Sequence, residues 1–193
     1  PSSGGIIVSQ LLTMIEPYPM RQYGYGTVAS MHLMVEAERR SFADRAEYMG
    51  DPDFVKMPID RLMSPFYAAG LRASIRMDKA TPSAMLPGLE DLSTDTHTTH
   101  FSLIDSTGNM VSATLTVNLP YGCAYIAPGT GFVLNNELDD FALKAGAPNA
   151  YGLIGNSANA IEPGKRPLSS MTPTFVIGKN KLAVIGTPGG SRI

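Results

Sequence analysis

The first third of the chain carries apolar residues at helical spacing. A first helix is predicted by apolar positions three or four residues apart, namely Ile7, Leu11, Met14 and Ile15. This helix is expected to begin near Gly4, and Pro17 ends the run because proline cannot continue a helix.

A longer second helix follows in the same pattern. Its apolar stripe consists of Met31, Met34, Val35, Phe42, Ala46 and Met49. The charged residues between them, including Glu36 and Arg40, are expected on a mostly solvated face. Gly50 and Pro52 supply the stop signal after this helix.

A third helix and an exposed connector are predicted next. Ser64 followed by Pro65 is typical of an N-cap and a first-turn proline, and this helix should run to about Ile75. Residues 77–96 are rich in Pro, Ser, Thr and Asp and show neither helical nor strand periodicity. Exposed connectors of this kind are the places where chains are cut.

After Thr98 the apolar period changes to two, which indicates β-strands. The two faces of one strand are Met110, Ser112, Thr114, Thr116 and Asn118 on one side, and Val111, Ala113, Leu115 and Val117 on the other. The loop "DSTGN" precedes this strand and places Gly108 where a hairpin loop needs a left-handed residue. If Asp105 faces Asn109 across the turn, the hairpin register puts Thr98 opposite Thr116.

Further short strands are predicted later in the chain. The segments are "GFVLNN" (131–136), "TPTFVIG" (172–178) and "LAVIGTPGG" (182–190), separated by loops rich in Gly and Pro. Helices followed by mainly antiparallel sheet define an α+β fold class.

Composition narrows the function classes. Of 193 residues, 44% are hydrophobic and the formal charge is −2, which suits a globular domain and argues against nucleic-acid binding. No apolar run is long enough for a membrane span. The single cysteine, Cys123, excludes an intramolecular disulfide and a multi-cysteine zinc site. His97 and His100 would lie on opposite faces of a strand, so we expect no metal and no cofactor.

Three polar motifs carry candidate chemistry, each with an ordinary structural alternative. "NNELDDF" (135–141) suits either a turn with helix-capping acids, which composition alone favours, or recognition of a cation. "PLSSM" (167–171) offers two adjacent hydroxyls, again typical of a turn or cap. "TPGG" (187–190) offers successive backbone amides, which suit an oxyanion hole or any tight turn.

Taken in order, six motifs resemble the γ-glutamyltransferase family of N-terminal-nucleophile hydrolases. They are "PSSGG", "AERRSFADRAEYMGDPDFV", "TTHFSLID", "LNNELDDF", "GKRPLSSMTPTFV" and "GTPGGSR". The resemblance implies a central fragment, truncated at both ends, of a partial αββα sandwich. Residues 1–97 would be the C-terminal part of a large subunit, and residues 98–193 the N-terminal part of a small subunit, within one structural domain.

The resemblance also implies a self-cleaving precursor. Family members cut themselves before the first threonine of "TTH", which is the His97–Thr98 bond here. Once Thr98 is N-terminal, its α-amine, with an ordinary pKa of about 7.7 to 8.0, can act as base for its own hydroxyl.

The same resemblance assigns the other site residues. Thr116 would hydrogen-bond the nucleophile, and the amides of Gly189 and Gly190 would form the oxyanion hole. The substrate α-ammonium would be held by Asn118, Glu137 and Asp140, the α-carboxylate by Ser169 and Ser170, and Tyr151 would belong to the loop that covers the pocket. The arginine that clamps the α-carboxylate in family members lies upstream of Pro1.

The implied reaction is acyl transfer from glutathione or another γ-glutamyl amide to water, an amino acid or a dipeptide, in a periplasmic or extracellular enzyme. One alternative is a sister amidase of the cephalosporin-acylase type, which shares the cutting chemistry but takes another acyl group. A hypothesis from a different class is a non-catalytic folded module.

Overall fold

The computed structural model describes residues 2–86 and 98–189, in which helices precede two β-hairpins. The helices are α1 (Gly4–Ile15), α2 (Met20–Tyr23), α3 (Val28–Tyr48), α4 (Ile59–Leu62) and α5 (Pro65–Ala73). The strands are β1 (Thr98–Ile104), β2 (Met110–Thr116), β3 (Thr174–Ile177) and β4 (Leu182–Ile185). The predicted α+β class is therefore confirmed. Of the predicted connector, residues 87–96 lie outside the described residues, as does His97.

The helices form a small core around α1. Helix α1 has the predicted bounds and packs against α3 and α5. Seven of the buried apolar residues form two clusters, Met14, Ala37 and Ala68 in one, and Ile7, Met49, Leu62 and Leu168 in the other. Leu168 comes from the segment just before β3, so the second group joins the helices to the later part of the chain.

The predicted orientation of α3 is wrong in part: Met49 is buried and Phe42 packs against the core as predicted, but four other positions are reversed. Glu36 and Arg40 are only 1% and 2% exposed, while Met31 and Val35, expected inside, are 52% and 46% exposed. The buried pair is tolerated because its charges are bonded: Arg40 donates to Glu36 at 2.7 Å, and the Thr81 hydroxyl donates to Glu36 at 2.6 Å. Burial raises the pKa of Glu36, but the hydrogen bonds from Thr81 and Arg40 outweigh it and lower that pKa to about 2.

The third helix begins as predicted and ends slightly early. Pro65 occupies its first turn, but the Ser64 side chain makes no capping hydrogen bond, and the helix ends at Ala73 instead of Ile75. Helices α2 and α4 were not predicted, since four residues are too few to show a helical period.

The first hairpin has the predicted register. Thr98 lies opposite Thr116, and every pair from there to Ile104 and Met110 follows the same alignment. Gly108 has a φ of 88°, and the Asp105 carboxylate accepts hydrogen bonds from the backbone N–H groups two and four residues later, which closes the loop.

The second hairpin is confirmed, but the strand predicted at residues 131–136 is wrong. β3 and β4 pair antiparallel, whereas residues 131–136 contribute only an isolated bridge between Ile126 and Val133. Gly129 and Gly131 both have positive φ, which interrupts the extended backbone. Asn136 then accepts the Leu119 N–H on its side-chain oxygen at 3.0 Å, and its own N–H donates to the Val117 carbonyl at 3.3 Å.

Two contacts fix the later loops on the helical part. Ser2 and Ser169 form a parallel bridge, and the Ser3 N–H donates to the Ser169 carbonyl at 2.8 Å. The Arg166 guanidinium donates two hydrogen bonds to the buried Asp51 carboxylate, from Nε at 2.9 Å and from Nη2 at 2.6 Å.

No helix within the described residues is long and apolar enough to cross a bilayer.

Candidate active site

Two threonine hydroxyls meet at the open end of the first hairpin. Thr98 Oγ1 donates to Thr116 Oγ1 at 3.1 Å, and Thr116 Oγ1 also accepts the backbone N–H of Asn118 at 2.9 Å. The pairing follows from the register, because directly opposed residues of antiparallel strands bring their side chains within reach. The Thr98 hydroxyl is therefore held in place at the first residue of β1.

Asn118 connects this hydroxyl pair to two loops. It is 3% exposed and has a φ of 72°, a left-handed conformation that asparagine tolerates better than most residues. Its side-chain amide donates to the Asn136 carbonyl at 3.1 Å. The Tyr151 hydroxyl donates to the Asn118 carbonyl, so the loop that carries Tyr151 lies against the end of β2.

The acidic motif forms a 3₁₀ turn, Glu137–Asp140, that places its carboxylates near Tyr151. Asp139 accepts the Ala150 N–H at 2.9 Å, but within the described residues Glu137 and Asp140 cap no backbone group. Burial, and then the neighbouring Glu137 charge, raise the pKa of Asp140 to about 7. Burial raises the pKa of Tyr151 to about 12, with further contributions from the charges of the three acids. The arrangement suits a bound cation, which would relieve this repulsion.

The raised pKa of Asp140 predicts a pH-dependent effect on stability. The folded state binds the Asp140 proton more tightly than the unfolded state does, so ionised Asp140 destabilises the fold, fully so above about pH 7 and not at all below its ordinary value of about 4. Asp140→Asn in the full-length protein should raise the thermal unfolding midpoint at pH 8 by a few degrees. The gain should disappear at pH 4, and an equal gain at both values would contradict this origin.

The hydroxyl motif contains one side chain without a partner. Ser169 is half-buried and its Oγ accepts the Met171 N–H at 3.1 Å, while Ser170 is 7% exposed. Within the described residues the Ser170 hydroxyl makes no hydrogen bond. A buried hydroxyl without a partner costs free energy. Such a hydroxyl is expected in a binding site, where the ligand supplies the missing partner.

Asn159 joins the acidic turn to the hydroxyl motif. It is 5% exposed, its amide donates to the Asp140 carbonyl at 2.7 Å, and its Oδ1 accepts the Leu168 N–H at 3.1 Å. Thr98 is therefore connected to Ser169 by hydrogen bonds, by the backbone of the acidic turn between Asn136 and Asp140, and by the adjacency of Leu168 and Ser169. The residues on this path are Thr116, Asn118, Asn136, Asp140, Asn159 and Leu168.

Sequence reasoning missed Asn136 and Asn159 as parts of this connection. Asn136 lies inside "NNELDDF", so the motif did mark this position, but a role was predicted only for the acidic residues of the motif. Asn159 lies in "GNSANA", a stretch whose composition resembles any loop, and nothing in the sequence marks it.

The predicted oxyanion loop follows β4 beside the first hairpin. β4 contacts both strands of that hairpin, and Ser112 Oγ donates to the Ile185 carbonyl at 3.1 Å. The His100 ring, bonded to Thr114 Oγ1 at 2.8 Å and Ser102 Oγ at 2.9 Å, lies against Gly186. Gly189 is exposed three residues later, and Gly190 lies outside the described residues, so no contact between Thr98 and these amides is described.

His100 uses both ring nitrogens for hydroxyl contacts and therefore offers none to a metal. Across residues 2–86 and 98–189, no group of three His, Cys, Asp or Glu side chains is arranged to hold a metal ion.

These features define an α+β protein whose candidate nucleophile is a threonine at the start of a β-strand. The family model for gamma-glutamyltranspeptidase matches residues 1–193, and the chain belongs to this family.

Curated relatives extend well beyond this chain. The glutathione hydrolase proenzyme of Escherichia coli (strain K12) is 47% identical over 195 residues, covering 100% of this chain and 34% of that protein. The Acylase ACY 1 proenzyme of Pseudomonas sp. (strain V22) is 40% identical over 100% of this chain and 32% of its own length. The chain thus spans about a third of the length of the curated relatives it matches.

A solved structure agrees with the fold. Cephalosporin acylase from Bacillus halodurans superposes with a TM-score of 0.61 and 26% identity, covering 84% of this chain and 26% of that one.

Proposed function

We propose that the full-length protein is a self-cleaving γ-glutamyl transferase and hydrolase with Thr98 as its nucleophile. The observation that carries the proposal is the 3.1 Å hydrogen bond between Thr98 Oγ1 and Thr116 Oγ1 at the first residue of β1. It holds a hydroxyl at the position where cleavage of the His97–Thr98 bond creates a new N-terminus. The near-half identity to a glutathione hydrolase proenzyme supports the same assignment.

Self-cleavage is proposed to use the groups at the junction and one water molecule. Thr98 Oγ attacks the His97 carbonyl carbon, and its proton passes to the Thr98 nitrogen as the C–N bond breaks. The acyl group thereby moves from nitrogen to oxygen as an ester. Water then hydrolyses this ester, which leaves a carboxylate on His97 and a free α-amine on Thr98. The amine has an ordinary pKa near neutrality, about 7.7 to 8.0, and becomes the base for the second reaction.

Turnover uses the same hydroxyl on a γ-glutamyl amide. The α-amine takes the Thr98 Oγ proton, the oxygen attacks the γ-carbonyl, and the proton passes to the leaving amine, which is Cys-Gly when the substrate is glutathione. The amides of Gly189 and Gly190 are proposed to stabilise the oxyanion. Water, an amino acid or a dipeptide then attacks the acyl-threonine and releases the γ-glutamyl group.

The remaining polar groups are proposed to bind the glutamyl amino-acid end. Glu137 and Asp140, with the Asn118 side chain, would hold the α-ammonium, and a bound cation would offset the repulsion that raises the pKa of Asp140. Ser169 and the unpartnered Ser170 hydroxyl would hold the α-carboxylate. Tyr151, bonded to the Asn118 carbonyl, would cover the pocket.

The assembly implied is a large and a small subunit derived from one precursor. This agrees with relatives that are named proenzymes. By family resemblance, we infer a periplasmic or extracellular location for the enzyme.

An acylase is the second candidate function, because a relative named Acylase ACY 1 proenzyme is 40% identical over the whole chain. The carboxylates of Glu137 and Asp140 favour a γ-glutamyl substrate. A glutaryl-type acyl group has no α-ammonium and would leave Glu137 and Asp140 without a counter-charge.

Two substrates that differ only in the α-amine separate these functions. The full-length protein should hydrolyse γ-glutamyl p-nitroanilide with a kcat/KM at least about 10²-fold above that for glutaryl p-nitroanilide, since unpaired polar groups penalise the analogue. Release of p-nitroaniline measures both. Equal rates or a preference for the glutaryl compound would indicate the acylase, and no turnover of either would indicate a non-catalytic module.

A further inference from the structure

Arg45 is a buried cation in α3 that none of the proposed steps uses. It is 6% exposed, and no carboxylate within the described residues lies at ion-pair distance from it. Burial lowers the pKa of Arg45 to about 10, and the charge of Asp140 partly opposes that effect. Burying an arginine is costly unless it is bonded and balanced, so its contacts indicate what it stabilises.

The Arg45 side chain holds the segment that carries Ser169 and Ser170 through two sets of hydrogen bonds. Its Nη2 donates to the carbonyl of Leu168, the residue before Ser169, at 3.4 Å. Its Nε donates to Ser3 Oγ at 3.0 Å, and Ser3 in turn donates from its N–H and its Oγ to the Ser169 carbonyl at 2.8 Å and 3.0 Å. The guanidinium also lies 5.9 Å from the centre of the Phe42 ring, which limits its movement.

The same guanidinium lies near one carboxylate of the acidic turn, that of Asp140. Arg45 and Asp140 line one small cavity of about 10 Å³, whose wall is completed by residues that include Asn159. The positive charge of Arg45 lowers the pKa of Asp140, against the larger effects of burial and of Glu137.

The other groups around Asp140 do not supply this charge. Glu137 and Asp139 belong to the same turn and repel an ionised Asp140, and Tyr151 is a neutral phenol at physiological pH. Arg45 is thus the cation that acts on Asp140 within the described residues.

We propose that Arg45 is a positioning residue for the amino-acid end of the substrate, which fixes Ser169 and Ser170 relative to Asp140 and supplies a buried positive charge that partly offsets the negative charge of Asp140. The inference rests on the proposed function, because it concerns the pocket that would take the γ-glutamyl α-ammonium and α-carboxylate. Arg45 touches neither group and acts through Leu168, Ser3 and Asp140.

Substitutions at Arg45 separate its charge from its shape in the full-length protein. Arg45→Met keeps the stem but removes the charge, so Asp140 should protonate at higher pH. The acidic limb of the kcat/KM profile for γ-glutamyl p-nitroanilide should move up by about one pH unit, with kcat/KM lowered about 10- to 100-fold. Arg45→Lys keeps a charge but loses the planar fork, so the limb should stay while KM rises.

Arg40→Lys is the matched control, because Arg40 is a buried arginine of the same helix whose contacts are with Glu36, Ser74 and Thr81, away from the pocket. It should lower the thermal unfolding midpoint but leave the acidic limb and the preference for γ-glutamyl over glutaryl p-nitroanilide unchanged.

The outcomes distinguish the two proposals. Wild-type protein without γ-glutamyl turnover would overturn the proposed function and this inference with it. Active wild-type protein with an unmoved acidic limb in Arg45→Met would overturn the inference alone. If Arg45→Met fails to fold or to cleave itself, Arg45→Lys decides: an unchanged KM contradicts the positioning role, and a raised KM with an unmoved limb supports it.

Discussion

Thr98→Ala should abolish both self-cleavage and turnover in the full-length protein. The substitution removes the only hydroxyl on the first residue of β1 and the donor of the Thr98–Thr116 hydrogen bond. The same oxygen is proposed to attack the His97 carbonyl and then the γ-glutamyl amide, so both reactions lose their nucleophile. We expect a single uncut chain and a fall in kcat/KM on the order of 10³-fold or more. Gel electrophoresis and p-nitroaniline release measure the two effects.

Thr99→Ala is the matched control for Thr98→Ala. Thr99 is the next residue of β1, pairs with Leu115 and is exposed, on the opposite face of the strand from Thr98. Its loss should leave cleavage complete and kcat/KM within a few-fold of wild type. Self-cleavage that persists in Thr98→Ala would rule out Thr98 as the nucleophile.

Gly186→Ala should cause the second-largest loss of activity. A Cβ at this position would lie 2.1 Å, 2.4 Å and 2.6 Å from three atoms of the His100 ring, which hydrogen bonds to Thr114 and Ser102 hold in place. Either the ring must leave these partners, or the loop toward Gly189 must withdraw from the hairpin. A shift of about 1 Å in the proposed oxyanion amides is expected to lower kcat about 10²-fold, with a smaller effect on KM.

Steady-state kinetics on γ-glutamyl p-nitroanilide test the Gly186 prediction. Gly178→Ala is the control, since a Cβ there meets only Lys181 at 3.6 Å and 3.9 Å, which is ordinary contact. The double variant His100→Ala with Gly186→Ala should show strong non-additivity, because the first change removes the ring that the second would meet. Full activity in Gly186→Ala would show that this contact does not hold the loop.

The hairpin could be predicted because its information is local. Five residues from Asp105 to Asn109 set the turn, and the alternation of β2 sets the faces, so the opposition of Thr98 and Thr116 followed from a short stretch of sequence. No distant contact was needed to fix that register.

The face of α3 could not be predicted, because its burial is decided by partners far along the chain. Glu36 and Arg40 appear solvated in an isolated helix, and only the approach of Thr81 and Ser74 supplies the hydrogen bonds that allow them inside. The hydrophobic periodicity of a helix depends only on its own residues, so it cannot show hydrogen-bond partners from other segments.

The candidate site was predicted in its parts and not in its connections. The family motifs supplied Glu137, Asp140, Ser169 and Ser170, but their link runs through Asn159, whose side chain bridges Asp140 and Leu168. Asn159 has the sequence context of an ordinary loop residue, so its position between the two motifs emerges only once the chain is folded.

Intact mass spectrometry of the purified full-length protein tests the central claim most directly. If Thr98 is an N-terminal nucleophile produced by self-cleavage, two polypeptides should appear, one ending at His97 and one starting at Thr98. Their masses should sum to that of the precursor plus one water molecule. An active preparation that contains only the uncut chain, or is cut at another bond, would contradict the claim.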